Sequence, residues 1–263
     1  MNTRRIQVAA VLVVSASTLV GCASASRGLE TRDYWPGDAQ WKRAALRALK
    51  DRGTWIPMAG FAAVSIDDWD RKVSSWAVEN APIFGSSENA RSASDALWMA
   101  TQLSMAGTAL AVPNGPGAWE QKAERLVLQE LALVFNDGTT GAIKSVTDRT
   151  RPDGSNTSSF PSGHASQTAM MARMACFNLD DLSGLSRGWR LALKTTFSGL
   201  AGATAWSRVE GGKHYPSDVL FGAALGNFIA VFIHDAFLSE YPKVQFNARI
   251  ERGAAAFSVA LSF

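Results

Sequence analysis

Apolar positions recur with helical spacing along most of the chain. Trp41, Ala45 and Leu49 would share one face of a first helix, with Asp38 as its N-cap. The same pattern predicts further helices over 54–66, 68–80, 94–112, 119–135, 139–147, 163–179, 186–206 and 217–238. Short stretches rich in Gly, Pro, Asn and Ser separate these segments. The body of the chain is therefore expected to be all-α.

No segment of this body is expected to span a bilayer. The most apolar run, 219–233, contains Asn227, and the longer run 96–112 contains several hydroxyl and amide side chains. A membrane span needs about 18–20 predominantly apolar residues. The mean hydropathy of −0.01 agrees with a soluble helical domain whose most apolar helices are buried in the core.

The last twenty residues follow a different period. Apolar side chains alternate at 244, 246, 248 and 250, and again at 257, 259, 261 and 263. A period of two is typical of β-strands. Two short strands around Arg252 and Gly253 would account for it, as a hairpin that packs on the helical body or pairs with a partner's edge.

The N-terminus has the features of a secretory signal. A basic start is followed by an apolar run over 6–20 and then by Leu-Val-Gly-Cys, which resembles the lipobox of bacterial lipoproteins. The resemblance implies a signal peptide over 1–21, cleavage before Cys22 and acylation of its sulfur, which would hold the protein on a membrane. Ala23 after the cysteine favours the outer membrane over the inner. An ordinary signal peptide with a chance cysteine is the alternative.

Composition limits the remaining possibilities. The chain has 263 residues, 47% of them hydrophobic, which is enough for one large core. Of its 26 basic residues, Arg4 and Arg5 lie in the predicted signal, and the remaining 24 nearly balance 23 acidic residues. Nucleic-acid binding is therefore not expected. The only other cysteine, Cys176, lies in an apolar stretch and is expected to be a core residue.

These features predict four consecutive parts. Residues 1–21 are the signal peptide, 22–38 a lipidated tether, 39–242 a helical domain and 243–263 a C-terminal extension. The predicted location is the bacterial cell envelope, with the domain facing the periplasm. The sequence gives no indication of an oligomeric state.

Three blocks in the helical domain carry candidate chemistry. They are Lys144 to Pro152, Pro161 to His164, and Ser207 to Asp218. The first and third hold Lys144, Arg151 and Arg208, and such cations suit phosphate oxygens. In the second, Ser162 is a good N-cap and the helix after it would present free N–H groups to an anion.

Two of the three histidines in the chain lie in these blocks. Asp218 follows His214 by four residues across a helix start, so its carboxylate could hold one ring nitrogen and leave the other free to attack. His164 could then protonate the departing oxygen. No spacing suited to a metal site is present, so neither a metal nor another cofactor is expected.

Together the blocks resemble the type 2 phosphatidic-acid phosphatase superfamily, which includes bacterial class A acid phosphatases and vanadium haloperoxidases. The family pattern, Lys-x6-Arg-Pro, Pro-Ser-Gly-His and Ser-Arg-x5-His-x3-Asp, matches over 144–218 without a gap. The resemblance implies a helical bundle with the active site at one end. It also implies a nucleophilic His214, a general acid His164 and an orienting Asp218. The implied phosphate ligands are Lys144, Arg151, Ser162, Gly163 through its N–H, and Arg208.

Several functions are compatible with these residues. The first is a phosphatase for a lipid phosphate or pyrophosphate, since the anchor would place the enzyme beside such substrates. The second is a tethered periplasmic acid phosphatase for soluble phosphomonoesters. A vanadate-dependent peroxidase is disfavoured because such enzymes are much longer. A non-catalytic phosphate-binding lipoprotein is disfavoured because both histidines and their partners are present.

Overall fold

The computed structural model of the protein describes residues 36–112, 118–238, 244–251 and 254–261. The predicted signal peptide, Cys22 and nearly all of the predicted tether lie outside the described residues. All described residues belong to one compact unit, Asp33–Phe263.

The described part of the chain is mainly helical, which confirms the all-α prediction. Its helices are α1 (Asp38–Lys50), α2 (Arg52–Val64), α3 (Trp69–Asn80), α4 (Ser87–Ala111), α5 (Ala118–Thr147), α6 (Gly163–Asp181), α7 (Arg187–Glu210) and α8 (Pro216–Ile233). A single π-helical turn, His234–Leu238, continues α8. Strands β1 (Val244–Glu251) and β2 (Ala254–Leu261) pair antiparallel, with Val244 opposite Leu261, so the alternating C-terminal segment forms a hairpin.

α6 lies at the centre of the bundle and contacts α4, α5, α7 and α8. Half of its twelve buried residues are alanine or methionine. Two glycines of α8 allow an unusually close approach to α6: a Cβ at Gly226 would lie 1.9 Å from the carbonyl oxygen of Ser166, and one at Gly222 would lie 2.6 Å from that of Ser162. The backbone of α8 therefore packs directly on the first turns of α6, which places their N-terminal ends side by side.

α5 is one continuous helix, although two helices were predicted here with a break at Asn136-Asp137-Gly138. These residue types are common in turns, but their side chains bond to α6 instead. Asn136 accepts a hydrogen bond from Ser166 at 2.7 Å, and Asp137 accepts one from Gln167 at 3.0 Å. Tertiary hydrogen bonds thus outweigh the local preference for a turn.

The buried face of α1 differs from the predicted one. Ala44 and Ala48 are buried, whereas the side chain of Leu49 is 57% exposed. Trp41 does face the bundle, where it stacks on Phe232 at 5.3 Å. The N-cap is Gly37 rather than Asp38, which forms the first helical residue.

One described segment, Pro216–Leu238, is long and apolar enough to cross a membrane. Half of it is buried inside the protein, where α8 packs against α1, α2 and α6. Core helices of soluble proteins share this composition, so the finding is weak evidence for a span.

Candidate active site

The three sequence blocks meet at one end of the bundle. The loop 148–162 leads from α5 into α6 and runs beside the short connection between α7 and α8. The N–H of Ser162 donates to the carbonyl of Asp218 at 3.0 Å, and the N–H of His214 donates to the carbonyl of Arg208 at 3.1 Å. The first hydrogen bond fixes the second block against the third, and the other holds His214 within the third block.

His214 is buried, and its ring is held in one tautomer. Nδ1 lies 2.6 Å from the carbonyl oxygen of Ser159. Because a carbonyl oxygen can only accept, Nδ1 must carry the hydrogen and Nε2 keeps a free lone pair. Burial lowers the pKa of His214 to about 4, and Arg208 lowers it as well. The ring is therefore neutral near pH 7, as a nucleophile must be.

Asp218 holds His214 less directly than the sequence suggested. Its Oδ2 lies 3.8 Å from Nδ1 of His214, too far for a hydrogen bond. Instead Oδ2 accepts from Ser159 Oγ at 2.5 Å and from the N–H of Tyr215 at 2.8 Å. The expectation of a direct carboxylate–imidazole hydrogen bond is corrected: Asp218 fixes Ser159, whose carbonyl fixes the ring.

His164 lies in the first turn of α6 and is more open to solvent than His214. Its Nε2 is 3.1 Å from Oδ1 of Asp95 on α4, and its side chain is 36% exposed. Burial lowers the pKa of His164, Arg208 lowers it further, and the hydrogen bond to Asp95 opposes both. Asp95 thus holds one ring nitrogen and leaves the other available for proton transfer.

Cations surround the two histidines. Lys144, in the last turn of α5, donates to the carbonyl of Pro161, and burial together with Arg151 lowers its pKa to about 8. Burial and Arg151 also lower the pKa of Arg208 to about 10. The guanidinium of Arg208 donates one hydrogen bond, to the hydroxyl of Ser94 at 2.9 Å. Nearby carboxylates raise both pKa values, but they do not offset burial and the neighbouring arginine.

Arg208 and Lys144 both lower the pKa of His164 and the pKa of His214. The two cations therefore lie within electrostatic reach of both rings. In addition, the Nε atoms of Arg151 and Arg208 are buried and have no hydrogen-bond partner among the described residues. Unpaired buried donors in a region of excess positive charge are suited to bind an anion.

The N-terminus of α6 adds hydrogen-bond donors to this region. Ser162 is fully buried, and its hydroxyl caps the helix by accepting from the N–H of Ala165 at 3.4 Å. Gly163 is the first helical residue, so its N–H belongs to the free donors of the first turn. No group of three His, Cys, Asp or Glu side chains suited to a metal ion occurs in the described part of the chain.

Arg149 is a central residue that the motifs did not single out. Its guanidinium lies 2.5 Å from Asp70 of α3 and 2.6 Å from Asp218, and 4.2 Å above the ring of Tyr215. Although burial works against its charge, Asp70 and Asp218 raise the pKa of Arg149. Asp70 also accepts from Ser217, which extends the network into α8.

Ser159, Asp70, Ser94 and Asp95 are the other site residues that sequence reasoning missed. Three of them lie 49 to 74 residues before Lys144, the start of the first block, on α3 and α4. Only the fold brings them to the site, and the local sequence around them carries no motif.

Comparisons with known proteins find similarities in sequence and in fold. The family model described as PAP2 superfamily matches residues 126–240. The lipid A 1-phosphatase of Porphyromonas gingivalis is 36% identical over 102 residues, which are 38% of this chain and 21% of that protein. The chain thus matches about a fifth of the length of this curated relative.

A solved structure supports the fold. The crystal structure of a transmembrane PAP2 type phosphatidylglycerolphosphate phosphatase from Bacillus subtilis aligns with a TM-score of 0.52. The alignment has 18% identity and covers 72% of this chain and 94% of the other. The family match over 126–240 includes all eight of the predicted catalytic and phosphate-binding residues, so the chain is similar to the PAP2 superfamily over the region that contains the site.

Proposed function

We propose that the protein is a metal-independent PAP2-type phosphatase that hydrolyses a phosphate monoester or pyrophosphate of a membrane lipid through a phosphohistidine. The observation that carries the proposal is the hydrogen bond from Nδ1 of His214 to the carbonyl of Ser159. It leaves Nε2 as a nucleophile within electrostatic reach of the buried cations Lys144 and Arg208.

The first half-reaction transfers the phosphoryl group to the enzyme. Nε2 of His214 attacks phosphorus, the N–P bond forms and the bond to the leaving oxygen breaks. His164 gives its proton to that oxygen, so the alcohol or phosphate leaves neutralised. Lys144, Arg151 and Arg208 stabilise the charge on the remaining phosphoryl oxygens, together with the N–H of Gly163.

The second half-reaction releases phosphate. His164, now neutral, takes a proton from water as the oxygen attacks phosphorus, and the N–P bond breaks. His164 is thereby protonated again and His214 regains its lone pair. Throughout, the carbonyl of Ser159 accepts the Nδ1–H and Asp218 offsets the positive charge that the phosphorylated ring carries.

A lipid substrate is supported by the names of the two similar proteins, a lipid A 1-phosphatase and a phosphatidylglycerolphosphate phosphatase. The predicted lipid anchor at Cys22 would hold the domain beside such substrates in the bacterial envelope, facing the periplasm, with the outer membrane favoured. The second candidate remains a tethered acid phosphatase for soluble phosphomonoesters.

A panel of substrates separates these two activities. We expect the protein to release phosphate from detergent-dispersed lipid phosphates with a kcat/KM at least about tenfold above that for nucleotides and sugar phosphates, because apolar contacts add binding energy. His214→Ala serves as the blank, and His164→Ala should release phosphate about 10²–10⁴-fold more slowly than the parent protein. A preference for soluble esters would favour the second candidate, and no release from any ester would contradict the phosphatase assignment.

The pKa shifts predict an acidic optimum. His214 must be neutral, and with its pKa at about 4 it loses activity only below that pH. His164 must be protonated, and since its pKa lies below the ordinary 6.5, activity falls before neutral pH is reached. A plot of kcat/KM against pH should therefore peak between these limits.

Substrate ionisation also occurs near pH 6, so a variant is needed to assign the alkaline limb. In His164→Ala the part of this limb that belongs to His164 should vanish, and only the substrate's own ionisation should remain. An alkaline limb identical in both proteins would show that His164 is not the acid.

A further inference from the structure

We propose that a second site, a groove lined by α1, α2, α6, α7 and α8, binds one acyl chain of an anionic membrane phospholipid, with the headgroup held by Lys50 and Arg52. The groove has a volume of about 1030 Å³ and contains none of the predicted catalytic or phosphate-binding residues. The proposal does not depend on the phosphatase activity.

Small side chains on three helices create the groove. Ala172 of α6, Ala201 and Gly202 of α7, and Ala223 of α8 line it, together with Leu220. The groove is as large as the largest common ligand pockets, which measure about 300–1,000 Å³.

The groove extends along the bundle. On α8 its lining runs from Pro216 to Asn227, which corresponds to about 16 Å at 1.5 Å per residue. On α7 it runs from Ser198 to Val209, a similar length. An apolar channel of this extent suits a flexible hydrocarbon chain better than a compact polar metabolite.

The mouth of the groove carries basic side chains, and two of them form no ion pair with a described residue. Asp51 pairs with Arg173 at 2.6 Å, and Arg47 pairs with Asp235 at 3.1 Å. Lys50 and Arg52 are exposed, line the groove and have no ion-pair partner among the described residues. They therefore complement an anionic headgroup at the open end of an apolar channel.

The surface beside the mouth is suited to a bilayer. Leu46, Leu49, Trp55 and Ile56 are each at least half exposed, next to the cations of α1 and α2. Exposed apolar and aromatic side chains among Lys and Arg are typical of segments that lie in a membrane interface. This composition identifies the occupant as a lipid of an anionic bilayer rather than a protein.

Cys176 provides a reporter inside the groove. It lines the groove and becomes the only cysteine when Cys22→Ser is introduced into the full chain. The rate of its modification by a small uncharged maleimide is measured with monomeric lysophosphatidylglycerol, and with lysophosphatidylcholine of equal chain length as the zwitterionic comparison. Neither phosphodiester is the monoester that the phosphatase would cleave.

We expect lysophosphatidylglycerol to protect Cys176, with an affinity that rises about fourfold for each added CH₂ until the groove is filled. Lysophosphatidylcholine should protect about tenfold less well. The double variant Lys50→Gln/Arg52→Gln should remove this preference. Arg71→Gln/Arg187→Gln, which removes the same charge elsewhere, should keep it.

A variant with a larger side chain in the groove provides the second comparison. Gly202→Leu should abolish protection by lipid, because its side chain would enter the groove. No heavy atom lies within 4 Å of a Cβ at Gly202, and Leu favours helix over Gly, so this variant should fold. Gly199→Leu, on the same helix with equally free space and outside the groove, is the matched control.

Absence of protection in the parent protein, or equal protection in Gly202→Leu, would overturn the proposal. Equal protection by both lysophospholipids would overturn the role of Lys50 and Arg52. His214→Ala should retain full protection, which keeps the outcome separate from any failure of the catalytic assignment.

Discussion

Replacing His214 by alanine is expected to lower phosphate release by about 10⁴-fold or more. The variant loses the only buried imidazole of the site whose Nε2 is free, and loss of a catalytic nucleophile typically costs this much or more. The measurement is kcat with the best substrate of the panel, after circular dichroism has shown that the variant is folded.

His234→Gln is the matched control for this result. His234 stacks on Phe177 at 3.8 Å and lies after α8, away from the cations of the site. It should change kcat less than about threefold, because its side chain supports packing and touches no reacting group. Release by His214→Ala at the level of this control would mean that another group attacks phosphorus.

Replacing Asp218 by asparagine is expected to lower the free energy of unfolding by about 3–5 kcal/mol, because the change removes one of the two carboxylates that pair with Arg149 and leaves buried hydrogen-bond donors unpaired. Asp218 is fully buried and accepts hydrogen bonds from Arg149, Ser159 and Tyr215. The amide cannot accept from all three donors, since its NH₂ group only donates. Urea unfolding measures the change.

A double-mutant cycle with Arg149→Met tests the reason for this loss. The two side chains lie 2.6 Å apart, so the double variant should be more stable than the sum of the single losses predicts. His164→Ala should change stability by less than about 1 kcal/mol, because its side chain is 36% exposed. Additive losses for Arg149→Met and Asp218→Asn would show that the pair is not coupled.

The helices and the main residues of the candidate site could be proposed from the sequence because their signals are local. Ser162 and Pro216 begin α6 and α8 by rules of capping and proline geometry that act within one turn. Three short stretches of sequence also contain the candidate site residues Lys144, Arg151, His164, Arg208 and His214. The family resemblance drawn from those stretches is confirmed by the PAP2 match.

The contacts that orient the catalytic groups could not be predicted in the same way. Nδ1 of His214 donates to the backbone carbonyl of Ser159. Every residue has a backbone carbonyl, so the residue type at position 159 does not reveal this contact. Asp70 and Asp95 reach the site from α3 and α4, which pack there only in the folded chain. The continuous α5 has the same cause, since Asn136 and Asp137 bond to α6 rather than to their own backbone.

Trapping of a phosphoenzyme tests most directly whether both imidazoles act on one phosphoryl group. In His164→Ala, p-nitrophenyl phosphate should give a rapid burst of nitrophenol equal to the amount of enzyme, because this leaving group needs no acid. Release of phosphate should then be slow, because no base activates water. The trapped phosphate should be acid-labile, base-stable and attached to His214. A variant that shows no burst, or that carries phosphate on another residue, would contradict the two-histidine mechanism.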